Sequence, residues 1–361
     1  MGDTNRRNSQ LGRISCPNRE CRLHGRRNEG NIARHGFYKA GSARRRRYRC
    51  RVCGTTFGVR TGTAYAGLQC SMRAFDQVMA MTVEGISKSS IGRVVGRSWN
   101  TVARWQERGA LFARRFNTAK TPGFVLRELQ LDEIRTFYPS RKRSRWIFTS
   151  IEVWSRLWPA TVVGPRTYRN TKRLVREVRH LSHSFHYPLM TTDGFKFYAP
   201  AIQRVFGLAC VLGQVVKKIR KDRVVRVDTR VMFGSEWKLE DALVESEDSE
   251  KLNTAFIERL NLTIRQGLAY MGRRSACHAR SKERLEDHLE LLRCHYNFCR
   301  PHSSLRFGGE VRTPAQQAEL VSRKLCWRDI FAGDTARSLF VVVGPGIPGQ
   351  DRARGTNRCA A

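Results

Sequence analysis

Carboxylates are scarce in this chain. It has 31 Asp and Glu against 67 Lys and Arg among 361 residues, a formal net charge of +36. That balance excludes a protein that works through a broad acidic surface. It points to a polyanionic partner, nucleic acid first, because clustered Lys and Arg displace condensed counterions from phosphates. An acidic membrane surface is the weaker alternative. Long apolar runs are missing as well. None approaches the ~20 residues a spanning helix needs, so no membrane partner is expected. The opening "MGDTNRRNSQ" lacks the apolar core of a secretory signal, and the expectation is a cytoplasmic protein. There is no internal repeat. The eleven cysteines are odd in number, which in a long chain without a signal excludes a disulfide framework and favours reduced thiols. What the chain does not lack is core-forming material. Hydrophobic residues make up 40% and aromatics 9%, enough for two or three folded domains.

The character of the sequence changes along its length. Residues 1–14 read as a basic arm, and 15–60 hold two close cysteine pairs. Residues 71–118 carry apolar residues at helical spacing, in "SMRAFDQVMAMTVEG", "SKSSIGRVVG" and "SWNTVARWQERGA". Strand-like runs rich in Val, Ile, Phe and Thr follow within 124–320, at "FVLRELQLDEI", "WIFTSIEVW", "LWPATVVG", "YPLMTTD" and "ACVLGQVVKKI", with helical patterns between and after them. Residues 321–361 read as a tail, Gly- and Pro-rich beyond Ala332.

Cys16 and Cys21 form a C-x4-C pair, and Cys50 and Cys53 a C-x2-C pair, with 28 residues between them. Four thiolates held as two knuckles suit tetrahedral Zn²⁺, which stabilises a segment too small for its own core. His24 is an alternative ligand to Cys21. A closed set of four thiolates leaves no open position, so this metal is structural. Arg44, Arg45, Arg46 and Arg47 stand between the knuckles. They are either a solvated face or phosphate contacts, and the basic context favours the second.

In "SKSSIGRVVGRSWNTVARWQ", Ile91, Val94, Val95 and Val102 mark an inner face and Gly96 a turn. Ser98, Asn100, Thr101 and Arg104 then project from the start of a second helix. This is the layout of a helix-turn-helix, whose second helix enters the major groove; a plain helical hairpin is the alternative. Trp99 and Trp105 are expected in the core.

The few acids then stand out. Asp132 follows the alternating run "LRELQL", and Asp193 ends "PLMTT" 61 residues later, each where a strand is expected to end. Glu258, 65 residues further on, lies in the helical pattern "NTAFIERLNLTIRQ". There Phe256, Leu260 and Ile264 fall opposite it, while Asn261 and Arg265 lie near its own stripe. Alone, a strand-end Asp is a turn former and an exposed helical Glu is merely solvated. Three that converge can hold two Mg²⁺ or Mn²⁺ ions ~4 Å apart and drive phosphodiester chemistry. Glu128 and Glu133 are rivals to Asp132.

"LQLDEI", "MTTDGFKFY" and "IERLNLTIRQGLAYMGRRS", with "HYNFCRPHSSL" and "RTPAQQA" after them, resemble the DDE transposases of the insertion-sequence-one type. "CGTTF" resembles the second knuckle of a zinc ribbon. The resemblance covers roughly 15–320. It implies a multidomain chain: a zinc ribbon at 15–60, an all-α helix-turn-helix at 71–118 and an α/β RNase H-like catalytic domain at 124–320. It further implies a metal-dependent DNA strand transferase of the bacterial nucleoid. Asp132, Asp193 and Glu258 would then be the catalytic acids and Mg²⁺ ligands, Arg265 the basic residue two turns after the Glu, and Asn261 a polar position on that helix. The partners implied are double-stranded DNA, as terminal inverted repeats and target, and further copies of the chain on that DNA. A non-catalytic DNA-binding regulator derived from such an enzyme is the alternative. The segment "RVVRVDTRVMFGSEWKLEDALVESEDSE" before Glu258 is longer than the resemblance leads one to expect.

Overall fold

The computed structural model describes residue 11 and residues 14–332, except 41–42, 141, 184–186, 221–222, 245, 247–250 and 273–276. The basic arm and the stretch 333–361 therefore lie outside the described residues, apart from residue 11 and residue 14. Among the described residues, no helix is long and apolar enough to cross a membrane.

A small antiparallel sheet comes first: β1 (Ile32–Ala40), β2 (Ala43–Cys50) and β3 (Thr56–Gly58), in that order. Three helices follow, α1 (Met72–Val83), α2 (Lys88–Val95) and α3 (Trp99–Lys120). Each begins at a serine. The hydroxyls of Ser71, Ser87 and Ser98 accept from the backbone N–H three residues on, satisfying a donor that the helix leaves unpaired. α2 ends at Gly96 in the left-handed region, φ +63°, which only glycine enters without strain.

The main sheet has six strands: β4 (Glu128–Phe137), β5 (Ser144–Glu152), β6 (Thr161–Gly164), β7 (Leu189–Asp193), β8 (Val211–Arg220) and β9 (Arg223–Phe233). Their order is β9-β8-β7-β4-β5-β6. β4, β7 and β8 run parallel, while β5, β6 and β9 are antiparallel to their neighbours. β9 comes from the long segment before Glu258. Its Val225, Val227 and Val231 are exposed, so no burial pattern separates it from a loop in the sequence. β4 is central and buried on both faces, as expected of a strand in a parallel sheet covered on both sides.

Alternate residues of β4 serve different layers. Leu129 and Leu131 pack with α4 (Tyr168–Leu181) and α5 (Tyr198–Phe206). Ile134, with Ile147 and Ile151, packs on the other side against α1, α3, α7 (Ala255–Gly267) and α8 (Lys282–Cys294). α6 (Glu236–Val244) lies between β9 and α7 and buries none of its residues. The three early helices thus share one core with the sheet. At Gly85, φ +73°, a Cβ would stand 2.3 Å from the carbonyl oxygen of Gln266, so the α1–α2 turn seats directly on the end of α7. Residues 321–332, expected in the tail, fold against the same layer. α9 (Trp327–Phe331) sets Phe331 edge to face against Phe75, and Arg328 pairs with Asp76 at 2.9 Å.

Candidate catalytic cleft and cysteine cluster

Asp132 stands in the middle of β4, fifth of ten residues, and not at a strand end as expected. The edge that exposes it belongs to β7. Leu131 pairs with Thr192, so Asp193, the last residue of β7, lies beside Asp132 where its strand stops. The next residues turn away because the Asp193 carboxylate accepts the Phe195 N–H at 3.0 Å. The turn-forming role and the strand-edge position coexist in one side chain.

Helix α7 brings the third acid. Glu258 is in its first turn, where the helix dipole favours a negative charge. Thr254 donates its hydroxyl to Glu258 Oε1 at 2.7 Å and so makes no cap of its own. Gln130 replaces that cap. Its Oε1, fully buried and two residues before Asp132 on the same face of β4, accepts from the backbone N–H of Phe256 and Ile257 at 3.1 and 3.0 Å. One turn on, Asn261 donates Nδ2 to Asp132 Oδ2 at 2.7 Å and accepts from Thr149 Oγ1 at 2.9 Å. Asn261 is buried, on the sheet-facing side with Ile257, Leu260 and Ile264, while Phe256 is only half-buried. Arg265 is half-buried two turns from Glu258 and does not line the cleft.

Asp132, Asp193 and Glu258 open into one cleft of about 680 Å³, with Arg166, Phe195, Lys196 and Thr254 around them. Oxygens of Asp132, Glu133 and Asp193 lie within 4.8 Å of one another, and Glu258 is outside that tight group. Burial, then the charges of Asp193, Glu133 and Glu258, push the Asp132 carboxyl up to about 7, against the hydrogen bond from the Glu133 N–H. Glu133 points to the opposite face of β4. It accepts from Tyr198 at 2.9 Å and from Arg166 Nε at 2.6 Å. Burial chiefly and Asp193 raise its pKa, and Arg166 opposes them. The rival is therefore already satisfied by partners. Glu128 likewise bonds Ser246, at 2.7 Å. Arg166 lies 4.0 Å from Asp193 and stacks on Phe195 at 3.9 Å. Neither Arg166 nor Gln130 carries a signal in the sequence, because both act through contacts made only in the fold.

The sulfurs of Cys16, Cys21, Cys50 and Cys53 form a second group within 4.8 Å, and His24 is not in it. Asn31 Nδ2 donates to Cys50 Sγ at 3.2 Å. Thr55 pulls Cys53 down to about 6, while burial raises Cys16. Four converging thiols with one such amide donor fit a tetrahedral zinc-type ion better than a disulfide.

The arginine run divides by strand alternation. Arg44 and Arg46 lie over the Phe37 ring at 4.1 and 4.0 Å and are exposed. Arg45 donates to the Leu68 carbonyl at 3.2 Å, and Arg47 lies 5.8 Å over Tyr38. On α3, Asn100 and Arg104 are exposed, whereas the Ser98 and Thr101 hydroxyls bond each other at 2.9 Å within the cap. Val94 is 67% exposed and not on the inner face. Trp99 is 53% exposed and not in the core, while Trp105 is buried.

No protein family model matches the chain, and no curated protein matches it. A cryo-EM structure of the piggyBac transposase synaptic complex with hairpin DNA is similar at a TM-score of 0.34 and 9% identity, over 75% of this chain and 72% of that one. A likeness at that level carries no argument about the site.

Proposed function

We propose that this chain is a DDE transposase of the insertion-sequence-one type, a metal-dependent enzyme that cuts and joins DNA strands. The observation that carries this reading is the convergence of Asp132, Asp193 and Glu258 on one open cleft in a chain of net charge +36. Carboxylates repel phosphate, so their gathering in so basic a protein calls for cations between the two. The order β6-β5-β4-β7-β8, antiparallel then parallel, supports an RNase H-like domain at 124–320, with β9 and α6 as an addition. The zinc ribbon at 15–60 and helix-turn-helix at 71–118 complete the proposed domains.

The donor set fits Mg²⁺ or Mn²⁺: hard carboxylate oxygens, with Asp132 pushed up to about 7 by burial first and by the neighbouring acids after it. A divalent pair bound there supplies an activated water or 3′ hydroxyl and stabilises the leaving oxygen. The chain's own residues prepare that site. Gln130 fixes the start of α7 and hence Glu258, Asn261 holds one oxygen of Asp132, and Arg166 neutralises Glu133 beside Asp193. Arg44 and Arg46 on β2, and Asn100 and Arg104 on α3, are the surfaces offered to duplex DNA; Ser98 and Thr101 shape the reading helix. Action on paired element ends implies several copies of the chain on one DNA.

Purified full-length protein, Mg²⁺ and a plasmid carrying the DNA that flanks its reading frame test this. Nicks at inverted repeats beside the frame are expected. Tight binding without any strand break would instead favour the non-catalytic regulator.

A further inference from the structure

A second cleft, of about 250 Å³, lies where the start of α2 meets the segment between α7 and α8. Its lining includes Ser87, Lys88, Trp99, Tyr270, Arg280 and Arg284, and it shares no residue with the acidic cleft. The Lys88 ammonium stands 4.8 Å over the Trp99 ring and 5.8 Å over that of Tyr270. Lys88 is half-buried. Burial chiefly, and then the charge of Arg284, push its pKa down. Among the described residues no carboxylate comes within ion-pair distance of it, and the nearby Glu107 is taken by Arg284. With Arg284 matched by Glu107, half-buried Lys88 and exposed Arg280 are the two cations of the cleft that have no acid partner among the described residues, and together they offer a place for one anion. The flat side of the site is equally unfinished, because Trp99 is 53% exposed although it begins a helix whose Val102 and Trp105 are buried. An anion joined to a flat ring satisfies both deficits.

We propose that this cleft holds one unpaired nucleotide of bound DNA, its base against Trp99 and its phosphate at Lys88 and Arg280. The inference rests on the DNA-binding reading above, and it adds to the groove-facing residues of α3 a pocket for a base taken out of the duplex. Stacking on an aromatic ring is sequence-tolerant and worth ~1–3 kcal/mol per base. Electrostatic attraction to the cations is separate and acts on any strand.

Fluorescence anisotropy with the full chain separates the two. The probes are an oligothymidylate, an abasic strand of equal length and a duplex. Trp99→Ala should weaken oligothymidylate binding about 5- to 150-fold, the stacking energy converted at ~1.4 kcal/mol per decade. It should leave the abasic strand unchanged. Trp99→Phe should keep most of the affinity, and Lys88→Gln should weaken both single strands alike. An unchanged oligothymidylate affinity in Trp99→Ala, or an equal loss on the abasic strand, would overturn the pocket. Wild-type protein that binds duplex but no single strand would overturn it too, while leaving the DNA reading intact. Wild-type protein that binds none of the three would overturn both.

Discussion

Replacing Gln130 by Leu keeps the side chain's bulk and removes the acceptor that caps α7. Two backbone donors, Phe256 and Ile257, lose a buried partner. An unmet buried donor costs ~1–3 kcal/mol and loss of a side-chain cap ~0.5–2. Gln130 Nε2 is itself buried without a partner, so Leu also removes a penalty. The balance is about 2 kcal/mol, concentrated on one turn. Amide hydrogen exchange reads it directly, because opening of that turn should become about 30-fold more frequent at 1.4 kcal/mol per decade. Exchange at Phe256 and Ile257 should accelerate by that factor, while amides of β4 change little. Glu258 follows Ile257, so strand cleavage should fall with it. Unchanged exchange at those two amides in a folded variant would refute the capping argument.

Other outcomes follow from the two clusters. Cys16→Ser or Cys53→Ser should unfold residues 15–60 and weaken DNA binding while leaving the acidic cleft intact. Metal analysis of the full chain should find about one zinc per molecule, lost in either variant; wild-type protein without zinc under reducing conditions would contradict this. The raised pKa of Asp132 has a definite sign. Between the usual carboxylate range and about 7, the folded chain holds a proton that the unfolded chain has released, so this contribution is full at acid pH and lost as pH rises. Without divalent ions, stability should therefore fall from pH 5 to 7.5, by ~1.4 kcal/mol per unit at most from this group. Asp132→Asn should flatten that slope in denaturant melts, and an identical slope would contradict the assignment.

The cysteine cluster was legible in the sequence because its ligands are bound to local spacing: two short knuckles can close on one ion whatever surrounds them. The starts of the three early helices were legible too, since Ser71, Ser87, Ser98 and Gly96 act on their own neighbours. Asp193 at its strand end and Glu258 on its helix were legible in place, whereas Asp132 was legible as a residue but not in its position. Apolar alternation marks β4 as a strand without telling where its neighbour ends, and it is the end of β7 that opens Asp132 to the cleft. Periodicity also misplaced Val94 and Trp99, because it defines a stripe and not what covers it. Gln130, Asn261 in its bonding role and Arg166 depend on contacts between segments over thirty residues apart, which no local pattern carries.

The most direct test of the central claim is strand cleavage by Asp193→Asn, measured beside DNA binding in the same Mg²⁺ buffer. Asn keeps the shape and the oxygen that accepts the Phe195 N–H, so the turn survives while the charge is lost. The account predicts cleavage reduced by orders of magnitude, with DNA binding unchanged or tighter and Mn²⁺ restoring part of the activity. An Asp193→Asn protein that cleaves DNA at the wild-type rate would contradict it.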